Sequence, residues 1–190
     1  MGFARHIAVV TVGVTGSAVL FAGPVAAAGV GDTRLSGPGA DLSVAIPTGW
    51  HQIADQADPQ LLQMVYPDNC TEQLRCASAM ARLLSTQAAN AQAAAEAGEQ
   101  AVATLKGVEA ATVTSQGPLQ IAGRTGYQVR FAFTTAKAKF QAVTAAVETG
   151  VASAGTVPTS LIFVTVSDLA GAPPAGVIDQ IVSSAQLKAQ

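Results

Sequence analysis

The sequence predicts an α+β domain in which helices cover an antiparallel sheet, and three patterns carry that prediction. Tyr127, Val129, Phe131 and Phe133 alternate with Gln128, Arg130, Ala132 and Thr134, the period-two signature of a strand with one buried and one partly polar face. Leu161 to Val166 is almost continuously apolar, as befits a strand at the centre of a sheet. Val177, Ile178, Ile181, Val182 and Ala185 recur at helical spacing behind Pro174, a residue suited to a first helical turn. Antiparallel strands closed by a helix that packs back on them define the class.

The chain opens on an address. Arg5 and the amino terminus supply positive charge, Ile7 to Ala22 is uncharged and mainly apolar, Gly23-Pro24 breaks the run, and Ala26-Ala27-Ala28 offers small side chains. Residues 1–28 therefore read as a cleavable secretory signal. A retained anchor would want about 20 strongly apolar residues, whereas Thr11, Gly13, Thr15, Gly16 and Ser17 dilute this run. No cysteine precedes Cys70, so a lipid anchor directly after the signal is not expected, and a released protein with no stable membrane anchor is. Residues 29–39, rich in Gly, Ser and Pro, read as a flexible leader, and 40–190 as one domain.

Only 12% of the 190 residues are charged, about half the usual share of roughly 25%. Arg5 is the only charge lost with the signal, leaving nine basic against twelve acidic side chains and a net −3. That balance lacks the basic stripe that phosphate contacts require, which excludes an ordinary nucleic-acid binder.

Within the domain, Asp41 to Ile46 alternates so that Leu42, Val44 and Ile46 share one strand face, and Pro47-Thr48-Gly49 turns the chain before Trp50. Leu61 to Tyr66 and Ala77 to Leu84 are short strand candidates, and Ser85-Thr86 signals a helix start. Gln87 to Lys106 is Ala-, Gln- and Glu-rich, with Gly107 as its stop. Its thin stripe of Ala94, Ala97, Ala101, Val102 and Leu105 would let it lie close on a sheet or leave it as a bare surface helix. Phe140 to Glu148 fits either period, but its β-branched content and its place between two strands favour a meander strand, with Thr135 to Lys139 as the turn. Gly150 to Thr156 is a small-residue loop, and Gly123 to Gly126 a turn between strands.

Cys70 and Cys76 enclose a short polar stretch, and an even pair in an exported chain forms a structural disulfide. Redox pairs use Cys-x-x-Cys spacing, and zinc needs three or four ligands, while His51 is the single histidine left beyond the signal. No metal or cofactor site is expected.

A strand leading into Pro47-Thr48-Gly49-Trp50, the Ala-rich helix, the meander through Gly126-Tyr127-Gln128-Val129 and Leu161 to Val166, and the terminal Ile178-Asp179-Gln180-Ile181-Val182 helix together carry a resemblance. Over roughly residues 40 to 187 the chain resembles the LpqN/LpqT-type exported proteins of mycobacteria, which share the PsbP-like fold. The resemblance implies an α/β/α sandwich and a non-catalytic binding or assembly module in the cell envelope or outside the cell. The chain departs from the lipoprotein members in lacking their acylated cysteine.

Catalytic equipment is thin. His51 would need a nucleophile and an orienting carboxylate, no serine stands in a Gly-x-Ser-x-Gly context, and the pairs Asp55/Asp58 and Glu96/Glu99 read as solvated faces. The chain is read as non-enzymatic, with a hydrolase kept as a third class. Binding candidates are Arg124, Arg130, Lys137 and Lys139, a modest positive surface near Tyr127, weighed against an ordinary solvated strand edge. Trp50 is either an interface anchor or a core residue. The leading expectation is a module that binds an envelope or extracellular protein, and the alternative is a carrier of a small apolar or lipid ligand.

Overall fold

A computed structural model describes residues 30–36, 41–54, 62–70 and 76–188; the signal expected over 1–28 lies outside them. The strands are β1 (Val30–Leu35), β2 (Leu42–Pro47), β3 (His51–Ala54), β4 (Leu62–Tyr66) and β5 (Ala79–Ala88), then β6 (Val108–Ile121), β7 (Arg124–Thr135), β8 (Lys139–Glu148), β9 (Val157–Ser167) and β10 (Gln186–Leu187). Helix α1 (Ala91–Ala103) separates β5 from β6, and α2 (Val177–Ser183) follows β9.

Seven strands form one antiparallel sheet in the order β3-β4-β5-β9-β8-β7-β6. The apolar run of β9 is its middle strand, as its composition predicts, with Val164 facing Val143 on one side and Ala81 on the other. Helix α1 covers one face over a core of Ala94, Ala95, Val102, Val129, Phe131 and Phe133. The other face carries α2 together with a small sheet, β1-β2-β10, over Leu42, Val44, Met64, Val143, Ile162 and Ile181. The result is the expected α/β/α sandwich, with three short strands sharing the second helical layer.

Several local expectations give way to tertiary context. The stretch read as a flexible leader supplies β1, paired with β2. Arg34 fastens that pairing, donating through Nε to Ser43 Oγ at 3.0 Å and through Nη2 to the carbonyls of Ser43 at 2.9 Å and Ser184 at 2.7 Å. Arg34 thereby places a cation beside a carbonyl at the end of α2, where the helix leaves acceptors unpaired. The one-sided alternation read in β2 becomes burial of all six residues, because β2 lies between β1 and β10 and Ser43 has its partner in Arg34.

The mid-chain helix is shorter than Gln87 to Lys106. Ser85 and Thr86 continue β5 opposite Ser160 and Thr159, and Asn90 is the N-cap, its side chain accepting from Ala93 N at 2.8 Å. Of the expected stripe, Ala94 and Val102 are buried, but Ala97 and Ala101 are exposed and Leu105, beyond the last turn, is 59% exposed. Gly98 brings the helix close to β8: a Cβ there would stand 2.6 Å from Thr144 Cγ2. Pro174 precedes α2 rather than opening it, its carbonyl accepting from Val177 N. Phe140 to Glu148 is a strand, and the β7–β8 hairpin is closed by Thr135, whose Oγ1 accepts from Lys137 N and Ala138 N.

Candidate functional site

The basic side chains singled out in the sequence lie along one hairpin, β7 to β8, without sharing a patch. Arg124 opens β7 and donates to the Glu148 carbonyl at 3.0 Å, whereas exposed Lys137 stands in the hairpin at the other end, roughly 40 Å away at about 3.3 Å per residue. Arg130 is engaged on the α2 face by the carboxylate of Asp179, with Nε donating to Gln128 Oε1 at 3.2 Å. Lys139 begins β8, its backbone N–H bonded to Asp168 Oδ1 at 3.0 Å. Tyr127, three residues from both Arg124 and Arg130, points to the opposite face and packs half-buried against the α1 core. The sheet therefore disperses the positive surface the sequence suggested.

Trp50 is 6% exposed and belongs to the core beneath α2, its ring 6.0 Å from that of Tyr66. That resolves its two readings in favour of packing. His51 has a buried Nδ1 without a partner among the described residues, and those residues hold no group of three metal-ligating side chains. Cys70 and Cys76 are bonded, with Cα atoms 5.5 Å apart.

Two surfaces that sequence reasoning did not find are built by the register. The first is the free edge of β6, fourteen residues paired on one side by β7 and, among the described residues, by no strand on the other. Most of its side chains are exposed, Val113 at 43%, and Glu109 is its single charge. Pairing is interrupted by irregularities at Val108/Ala110 and Val113/Ser115, and Pro118 removes one donor; such features blunt an edge without covering it.

The second is a groove of about 220 Å³ between α1 and the sheet. Leu84, Leu161 and Phe163 form its floor, and Ala101, Val102 and Leu105 its helical wall. Gln63, Arg82, Phe163 and Thr144 face one another in a single row across β4, β5, β9 and β8, so Arg82 and Thr144 flank the aromatic floor. Arg82 Nε donates to Gln63 Oε1 at 2.8 Å. Thr144 is 1% exposed and its hydroxyl has no partner among the described residues. Gly98 and Ala101, which leave this space open, were legible only as small residues in an Ala-rich helix. Two further hollows of about 310 Å³ each lie on the α2 face, one beside the Arg130–Asp179 pair and one between Lys139 and Pro173.

No protein-family model and no curated protein matches the chain. Solved structures do. Cyanobacterial PsbP (CyanoP) of Synechocystis sp. PCC 6803 is similar with a TM-score of 0.52 and 13% identity, over 93% of this chain and 100% of that one. LpqN of Mycobacterium tuberculosis, described as involved in cell envelope biogenesis, is similar with a TM-score of 0.51 and 11% identity, over 83% of this chain and 90% of that one. The sandwich is thus the PsbP-like fold. Among the described residues, no helix is long and apolar enough to cross a membrane.

Proposed function

We propose that this chain is a non-enzymatic binding module of the cell envelope or extracellular space that engages a protein partner along the free edge of β6. What carries the reading is the strand itself. A fourteen-residue edge with one charge presents alternate backbone N–H and C=O groups to an incoming extended segment, the arrangement used in recognition by strand addition. The signal read in residues 1–28 and the envelope role in the LpqN description support the compartment. A photo-crosslinking residue at Thr112 or Thr114, both exposed, should capture a discrete protein adduct in the producing cells. The same residue at Asp179, exposed on α2, should not. No adduct from β6, or the same adducts from Asp179, overturns the reading.

A second reading, a carrier of a small apolar or lipid ligand, is favoured by a different observation: an apolar groove beside α1 flanked by a guanidinium and an unpartnered hydroxyl.

A further inference from the structure

We propose that the groove between α1 and the sheet binds a medium-chain acyl carboxylate carrying an oxygen function toward its far end. The carboxylate sits on Arg82, the chain crosses Phe163, and the distal oxygen bonds Thr144. This inference rests on the carrier reading and is independent of the β6 edge.

Three observations converge. Nε of Arg82 is held by Gln63, which orients the guanidinium, and among the described residues its terminal nitrogens meet no acceptor. A planar cation presented in this way matches a carboxylate by charge and by fork geometry. The middle of the groove is hydrocarbon and aromatic: Leu84, Leu161, Phe163, Val102 and Leu105 line it, with no charged side chain other than Arg82. Thr144 is the third. Buried polar atoms in folded proteins nearly always have partners, yet its hydroxyl, in a side chain 1% exposed, has none among the described residues, and it borders the same groove.

The register sets the length of the ligand. Arg82 and Thr144 each face Phe163, from β5 and β8 on either side of β9, so their backbones lie two strand spacings apart, about 10 Å. A groove of about 220 Å³ takes about seven chain atoms if each fills roughly the 30 Å³ of a water molecule, so a chain of about that length or a few atoms more spans from Arg82 to Thr144. Gly98 and Ala101 keep the roof low, since neither carries a side chain that reaches across.

The test is calorimetric titration of the disulfide-intact protein with ω-hydroxydecanoate, decanoate and decanol. Saturable 1:1 binding is expected in that order of affinity. Decanoate should be up to about tenfold weaker for loss of one neutral hydrogen bond, and decanol a further tenfold or more weaker for loss of the charged one. Thr144→Val, which keeps shape and breaks no existing hydrogen bond, should abolish the difference between the two acids. Arg82→Gln should abolish the preference of acid over alcohol. Ala101→Trp, at an exposed helical position, should block all three while circular dichroism stays unchanged. Equal affinities for acid and alcohol would overturn the ligand class and leave the carrier reading standing. No binding of any probe, or binding that survives Ala101→Trp, would overturn both.

Discussion

Gly98→Ala sets two sizeable effects against each other at the point where α1 meets the sheet. Helix propensity alone favours the substitution by about 0.8–1.0 kcal/mol. Packing opposes it. The new Cβ would lie 2.6 Å from Thr144 Cγ2 and 3.1 Å from its Oγ1, whereas carbon atoms rest about 3.5–4.0 Å apart, so about an ångström must be found. Thr144 cannot readily yield it, being β-branched, stiff at χ1 and 1% exposed. The helix cannot easily lift either, because Ala94, Ala95 and Val102, at 3%, 0% and 7% exposure, hold it in the core. Overpacking of this kind costs about 1–3 kcal/mol, which leaves a net loss of about 0–2 kcal/mol after the propensity gain. Urea unfolding followed by Trp50 fluorescence measures it, and the pair with Thr144→Ala completes a double-mutant cycle. Because Thr144→Ala removes the two nearest of the three contacting atoms, the two substitutions should couple favourably by about 1–2 kcal/mol. Stabilisation by Gly98→Ala alone, with additive behaviour in the pair, would refute the close approach.

Gly126, buried in β7, is a second contact point: a Cβ there would press on the Ala146 carbonyl oxygen and on Ile121 Cδ1. Gly126→Ala should therefore cost about 2 kcal/mol or more, while Gly117→Ala on the open edge, with nothing within 4 Å, should be neutral or stabilising by up to about 1 kcal/mol in the same assay. Trp50 emission should be blue-shifted and shielded from acrylamide in the folded protein, and Trp50→Ala, scored by thermal melting, should lose about 3–5 kcal/mol. The Arg130–Asp179 pair, with side chains 30% and 66% exposed, should contribute less than about 1 kcal/mol, so Asp179→Asn should shift the urea midpoint little and high salt should erase the shift. Replacing Cys70 and Cys76 together by serine should lower stability by about 2 kcal/mol, the loop-closure value for so short a span, read from urea midpoints.

The elements legible in the sequence are those whose burial is one-sided or complete along consecutive residues. Alternation from Tyr127 to Thr134 announces β7 because one of its faces is core and the other partly wet. Leu161 to Val166 announces β9 because a middle strand is covered on both faces, and the spacing of Val177 to Val182 announces α2 because a single stripe is buried. The disulfide was legible for a chemical reason, the even pair in a chain expected to be exported. Elements without such a pattern stayed silent. Among them, β6 has side chains exposed on both faces, so no period is imprinted on it. Likewise β1 is set by its pairing with β2 and by Arg34 reaching Ser43 and Ser184 across the fold, and β5 overran the expected helix start because β9 was there to pair with it.

The binding surfaces divide along the same line. Sequence proximity placed Arg124, Arg130 and Lys137 together, but a strand spreads such residues along its length, and pleating turned Tyr127 away from its basic neighbours. Conversely, Gln63, Arg82, Thr144 and Phe163 have no relation along the chain. They become one row because four strands are paired in a particular register, and only the seat of α1, set by Gly98 against Thr144, leaves a groove above them. By itself the sequence determined fold class and which faces must be dry, since hydrophobic periods and helix spacing act locally. Which polar groups meet inside the sandwich was decided by strand register and helix placement, which depend on contacts between residues far apart in the chain.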